Sequence, residues 1–210
     1  MYLSKDIDQC FINNQSKFDG YVSYRSLSAR LRHAFKSIDN LKFKIIRTSY
    51  LCVNEFSVAG LYDQSKNMKY VILNLSKYSD EMLFDKPLLK DFTFLISQTI
   101  QHETIHQDQF KHRKDTDLEA ELDFRINAID TVEEKLYLSD YDEIDAYAHD
   151  IAMEMKQFYP LSDPYDILKT IYSKRKLPSF SYYKNTFKGC EWDQVKKRLF
   201  LKTYKWIPYV

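Results

Sequence analysis

Three of the five histidines in this chain fall within residues 101–112, which spell QHETIHQDQFKH. His102 and His106 are four residues apart, and on an α-helix that spacing places both imidazoles on one face, one turn apart. Two imidazoles in that arrangement can bind one zinc ion at about 2 Å from each nitrogen. Glu103 is rotated about 100° from His102, so its carboxylate reaches a water on the metal without binding the ion. The H-E-x-x-H spacing therefore predicts hydrolysis by an activated water whose proton Glu103 accepts.

The helix that must present these residues is predicted from the periodicity of the segment that begins at Asp91, its expected N-cap. One helical stripe of this segment comprises Phe92, Ile96, Thr99, His102, His106 and Phe110. The stripe is apolar at its start and polar where the histidines begin. That change is expected of a helix that runs from a core into a cleft.

The other elements follow from the same kind of periodicity. MKYVILNLS at 68–76 is predicted as the strongest strand, preceded by strands at 41–48 and 50–63 in an order that fits a meander. A helix is predicted at 26–40 with Ser26 as its cap. Further helices are expected at about 117–135, 140–157, 164–176 and 190–206. The order of the elements along the chain, a helix, a sheet and then helices, predicts an α+β fold with segregated layers.

The composition excludes several classes of protein. Aromatic residues make up 16% of the chain and there are only three glycines, which is typical of a compact, helix-rich protein and not of a disordered or fibrous one. No apolar run approaches the roughly 18 residues of a membrane span. The N-terminal residues also lack the pattern of a secretory signal. The three cysteines form no metal-binding pair, so an intracellular or virion-associated location is expected.

With an HExxH helix after a strong strand, the chain resembles the zincin metallopeptidases over roughly residues 40 to 157. The resemblance implies a small twisted β-sheet packed on the active-site helix. It also implies that His102 and His106 bind zinc and that Glu103 activates water. The strand nearest the cleft, for which 68–76 is the candidate, would hold the substrate backbone by strand addition.

Two residues compete for the place of the third zinc ligand, and the first is His112. It lies ten residues after His102, as in the metzincin pattern HExxHxxGxxH, where a glycine lets the helix break and return the last histidine to the metal. The corresponding residue here is Gln109, for which the positive φ of such a break is disfavoured. If the helix continues, His112 lies about 9 Å along the axis from His106 and cannot join the site.

The second candidate, Glu143, is preferred. It lies in the first turn of the helix predicted at 140–157, where Ser139 or Asp140 can cap. A carboxylate from a second helix is the gluzincin arrangement, and EIDAYAHD at 143–150 is similar to the E-x-x-A-x-x-F-A helix of small zincins from phages and mobile elements. Glu143 and Ala146 match that pattern, whereas the residues at its last two places, His149 and Asp150, depart from it.

Several alternatives stay open beside these assignments. Glu143 can also be a solvated acid that the helix dipole favours, and lesser candidates for the third ligand are Asp142, Asp145 and His149. Each ligating imidazole needs an acceptor for its other N–H, for which the candidates are Asp145, Asp150 and the acids of 117–123. A donor for the oxyanion is expected in Tyr147, one turn after Glu143, or in His149.

Charge is distributed unevenly along the chain. Residues 115–156 carry 14 acidic and three basic side chains, whereas residues 169–210 carry 11 basic and two acidic ones. Basic and aromatic residues alternate near the C-terminus, as they can in a nucleic-acid arm. However, Trp192, Val195, Leu199 and Trp206 fall at helical spacing, which favours a helix docked on the body.

Together these features predict a zinc-dependent hydrolase of the metalloprotease type that acts on a protein or peptide. Residues 1–157 are the predicted catalytic domain, and residues 158–210 are a helical extension packed on it unless the two form one domain. Abundant Lys, Asn, Ile and Tyr suggest a phage or similar element. The alternative is a structural or partner-binding phage protein on the same scaffold, against which the base Glu103 argues. No membrane or nucleic-acid partner is predicted, and the oligomeric state is left open.

Overall fold

The computed structural model describes residues 7, 9–10, 13–112, 131–174 and 176–210. It has a mixed α+β fold, so the predicted class is confirmed. Its strands are β1 (Gly20–Ser23), β2 (Leu41–Thr48), β3 (Phe56–Asp63), β4 (Met68–Ser76) and β5 (Glu81–Phe84). Its α-helices are α1 (Tyr24–Ala34), α2 (Lys86–His112), α3 (Thr131–Ser139), α4 (Tyr141–Phe158), α5 (Pro164–Lys169), α6 (Pro178–Thr186) and α7 (Gly189–Trp206). Short 3-10 helices span Gln15–Phe18, Ile171–Ser173 and Ile207–Tyr209.

The chain forms two compact units, Met1–Asp108 and Gln109–Val210. The first unit contains all the strands named above and most of α2, and the second contains α3 to α7. The predicted division into a catalytic domain, 1–157, and an extension, 158–210, stays a prediction.

The largest sheet of the first unit has three strands in the order β2-β4-β3. β4 is central, parallel to β2 and antiparallel to β3, so the strand predicted at 68–76 is confirmed and the meander is wrong. The strand predicted at 50–63 begins only at Phe56. Because both edges of β4 are hydrogen-bonded to neighbours, β4 is not the strand that can add a substrate strand. Among the described residues, β3 lies at an edge of this sheet.

A two-stranded sheet of β1 and β5 and helix α1 complete the strand-bearing part of the first unit. The Ser23 hydroxyl accepts a hydrogen bond from the Ser26 amide at 3.2 Å, so Ser23 caps α1. The predicted cap, Ser26, is wrong, since its hydroxyl lies inside the helix and accepts from Arg30. β1 and β5 were not predicted, because four residues are too few to show a period.

Helix α2 carries the HExxH residues and is 27 residues long, or about 40 Å. It begins at Lys86, and the Asp85 carboxylate accepts from the Leu88 amide at 2.8 Å, so the predicted N-cap Asp91 is wrong. Helix α2 is anchored in the apolar core of the first unit by Phe92, Ile96 and Ile100, which are fully buried.

The second unit is built around α4. Asp140, one of the two predicted caps, caps α4 by accepting from the Asp142 amide at 2.8 Å, and Ser139 does not. Of the predicted helix 117–135, residues 117–130 lie outside the described residues, and the described helix α3 runs from Thr131 to Ser139. The helix predicted at 164–176 ends earlier, at Lys169, and α6 was missed.

The basic C-terminal segment forms α7, which packs along α4. Val195, Leu199 and Trp206 are buried and Trp192 is partly buried, so the docked helix predicted at 190–206 is confirmed. The Trp206 indole N–H donates to the Asp145 carboxylate at 3.0 Å, and Lys202 pairs with the same carboxylate at 3.1 Å.

Among the helices of the described ranges, none combines the length and apolar character that crossing a membrane requires.

Candidate metal centre

From Ser97 to Gln107, α2 buries more polar side chains than apolar ones. The buried apolar residues of this stretch are Ile100 and Ile105, and its buried polar residues are Ser97, Gln98, Gln101, His102, Glu103, His106 and Gln107. Burying polar groups costs free energy unless they have partners, so such a concentration is the informative departure from an ordinary core. This stretch is therefore the part of α2 where a functional site is expected.

His102 and His106 lie side by side on α2, as their spacing predicts. Their ring centroids are 4.8 Å apart and the rings are nearly perpendicular, at 73°. The two side chains are only 9% and 4% exposed. Burial shields both imidazoles from bulk water, which strengthens any interaction that they make with a cation.

A hydrogen-bond network holds this part of α2 on the β3–β4 hairpin of the first unit. The buried Lys69 ammonium donates to the Gln107 side-chain oxygen at 2.9 Å, and the Gln107 amide donates to Asn67 at 2.7 Å. The Tyr62 hydroxyl donates to the same Asn67 oxygen at 2.9 Å. Since Gln107 directly follows His106, the network fixes the helix next to the histidines. This network was not predicted, because a hairpin turn and a helix 40 residues later show no common pattern.

Helix α2 continues unbroken through Gln109 to His112, as predicted for a residue that resists a positive φ. His112 is its last residue and is exposed. In the second unit, the Gln109 amide donates to the carbonyl of Asp142 at 3.2 Å, so the last turn of α2 meets the first turn of α4. The residue after Asp142 is Glu143, whose side chain is buried with 1% exposure.

One ligand atom from each of His102, His106 and Glu143 lies within 4.8 Å of the others, and all three residues are buried. Two imidazole nitrogens and a carboxylate oxygen are a donor set found at catalytic zinc sites. His112 does not belong to this group of the described residues.

Two of the other acids near Glu143 have partners of their own. Asp140 caps α4, and Asp145 binds Lys202 and Trp206 of α7, while Asp142 is half-buried. His149 is buried edge-on to Trp206 with ring centroids 4.9 Å apart, and its Nδ1 lies 3.8 Å from the Asp150 carboxylate. Asp145 is thus accounted for by α7, and the predicted acids of 117–123 lie outside the described residues.

Tyr147, the predicted oxyanion donor, belongs to a tyrosine cluster that also contains Tyr182 and Tyr183, with ring centroids at 6.0 and 5.3 Å. Burial raises the pKa of Tyr183 well above its usual value, and the charges of Glu143 and Asp150 raise it further. Burial and a 2.5 Å hydrogen bond to Glu134 raise the pKa of Tyr182. These phenols therefore stay protonated at neutral pH, within electrostatic range of Glu143. That Tyr182 and Tyr183 lie next to Tyr147 was not predicted, because no sequence pattern distinguishes these two from the other tyrosines among the 17 of the chain.

The chain matches no family model, no curated protein and no solved structure. The chemistry of the site accordingly rests on the residues and distances given above.

Proposed function

We propose that this chain is a zinc-dependent hydrolase that cleaves peptide bonds in a protein or peptide substrate. The observation that carries the proposal is the buried group of His102, His106 and Glu143, whose ligand atoms lie within 4.8 Å of one another. A catalytic zinc site typically has three protein ligands and keeps one position for water or substrate. The zincin-like fold, with a small sheet on an HExxH helix, belongs to the same proposal.

The group fits zinc after a small contraction. Ligand atoms around one tetrahedral zinc ion are about 3.4 Å apart, given bond lengths near 2.1 Å. Adjustments of the side-chain torsions of the three ligands, within their staggered wells, can supply this contraction from the 4.8 Å limit. The fixed parts of the site, α2 and its hydrogen bonds to Asn67 and Lys69, need not move.

Glu103 lies outside the ligand group and on the same helix as both histidines, which is the position of a general base. When bound, zinc supplies Lewis-acid chemistry that lowers the pKa of water to about 7 and polarises a carbonyl. Glu103 then accepts the proton of the attacking water and passes it to the leaving amine. A phenol of the tyrosine cluster, Tyr147 included, is proposed to donate a hydrogen bond to the developing oxyanion.

Strand β3 is proposed to bind the substrate backbone in place of β4. Among the described residues it is an edge strand, and an edge has backbone donors and acceptors available to an extended peptide.

The experiment that tests the metal site is zinc analysis of the purified chain. One zinc per chain is expected, with loss in His102→Ala, His106→Ala and Glu143→Ala. His112→Ala is the matched control, because it removes a histidine of the same helix and should keep the zinc. Zinc retention in Glu143→Ala together with loss in His112→Ala would reverse the choice of third ligand, and a zinc-free wild-type protein would refute the site.

A further inference from the structure

Gly60 in strand β3 differs from the other two glycines of the chain. Gly20 and Gly189 have positive φ, at 74° and 55°, where glycine is favoured, and a Cβ on either would meet nothing within 4 Å. Gly60 has no positive φ, so its backbone conformation is open to other residues. What excludes a side chain at Gly60 is therefore its surroundings.

The surroundings of Gly60 are Glu103 and Thr99 of helix α2. A Cβ at residue 60 would lie 2.8 Å from the Glu103 carboxyl carbon and 2.8 Å from the Thr99 methyl carbon, and closer still to the Glu103 oxygen Oε1. Atoms that are not bonded essentially never approach a Cβ so closely. The carboxylate of Glu103 thus contacts the backbone of β3 and occupies the space that a side chain at residue 60 would need.

Neither backbone can move aside to make room. Gly60 is paired in register with Val71 of the central strand, and Val71 is fully buried in the core. On the helix side, Phe92, Ile96 and Ile100 anchor α2 in that core, and Gln107 ties it to Lys69 and Asn67. A methyl group at residue 60 would therefore displace the mobile partner, which is the side chain of Glu103.

We propose that Gly60 is a positioning residue that sets the place of the Glu103 carboxylate by having no side chain. This inference rests on the proposed function, since it assigns to Gly60 the alignment of the base of that reaction. Displacement of a reacting group by about 1 Å can cost about 100-fold in rate. The three atoms nearest to a Cβ at residue 60 belong to Glu103 and Thr99 and not to the proposed metal ligands, so we expect Gly60→Ala to keep its zinc.

The first test is Gly60→Ala, compared with Ala29→Ser as the control. Ala29 is an exposed residue of helix α1, outside the proposed metal site and outside the strand proposed to bind substrate. Gly60→Ala should keep its zinc and lose about 100-fold in kcat with little change in KM, whereas Ala29→Ser should leave zinc content, kcat and KM unchanged. Unchanged kcat in Gly60→Ala, or loss of its zinc, would overturn the positioning role.

The second test separates the contact from catalysis. Both measurements use a Thr99→Ser background, which removes the clash with the Thr99 methyl group. In that background Gly60→Ala should lower the melting temperature when residue 103 is Glu. With Glu103→Ala added, Gly60→Ala should lower the melting temperature much less. Glu103→Asp, one methylene shorter, should restore part of the kcat that Gly60→Ala loses.

Absence of coupling between residues 60 and 103 would refute the contact. Coupling in a chain that neither binds zinc nor hydrolyses peptides would keep the contact and refute the proposed function, and with it the role of Gly60 in catalysis.

Discussion

The HExxH segment of α2 and the acid-rich first turns of α4 contribute to the proposed site in different ways. In α2, residues 102–106 place both histidines on one face because helix geometry alone sets a four-residue spacing. In α4, the first turns carry Asp142, Glu143 and Asp145, which were all candidates for the third ligand, and Asp140, which was a candidate cap.

The structure separates these acids by the partners that each one has. Asp140 caps the helix and Asp145 is bound to Lys202 and Trp206, while Glu143 is the one that is 1% exposed and grouped with the two histidines. Local helix geometry is therefore sufficient to bring together the two proposed ligands of α2, whereas tertiary contacts select the proposed ligand of α4.

The largest effect is expected at Glu103. Glu103→Gln should lower kcat by about 10³-fold, because the amide keeps the shape of the side chain but cannot accept the proton. Zinc content should equal that of the wild type, measured by metal analysis on the same sample. Glu133→Gln, a half-buried glutamate of α3, is the control and should leave kcat unchanged. Loss of zinc in Glu103→Gln would make Glu103 a ligand and remove the distinction between base and ligands in α2.

The next effect distinguishes two acids of α4 that are two residues apart. Glu143→Ala should release zinc, whereas Asp145→Ala should keep zinc and cost about 2 kcal/mol of stability, because Lys202 and Trp206 lose a charged partner. Chemical denaturation and metal analysis of both variants measure the two quantities. Asp142→Ala, which removes a half-buried acid of the same turn, should change neither. Zinc loss in Asp145→Ala with retention in Glu143→Ala would exchange their roles.

The smallest effect is expected in the pH dependence of stability, through the ion pair of Lys202 and Asp145. Burial lowers the pKa of Lys202, but its interactions with Tyr141 and Asp145 outweigh burial and raise that pKa above the usual 10.5. A raised lysine pKa contributes stability that is fully present below pH 10.5 and is lost as the pH rises through the folded-state value. The melting temperature of the wild type should therefore fall more steeply above that pH than the melting temperature of Asp145→Ala. Parallel curves would show that Asp145 does not stabilise charged Lys202.

The sequence by itself was sufficient for features that depend on neighbours along the chain. It predicted the strand 68–76 from its alternation, narrowed the cap of α4 to Ser139 or Asp140, and predicted the docked helix near 190–206 and the unbroken course of α2 through Gln109. It also singled out His102, Glu103 and His106. All of these depend on the period of a helix or strand, or on a cap within a few residues, and such interactions act over short separations.

Only the tertiary structure decided which residues from separate elements meet. It placed β4 between β2 and β3, contrary to the expected meander, and moved the start of α2 to Lys86. In the folded chain Asp145 binds α7, Glu143 lies with the two histidines, and Glu103 contacts Gly60. The physical reason is that strand order and side-chain contacts minimise the free energy of the whole packed chain, and residues 40 positions apart show no period that reveals their contact.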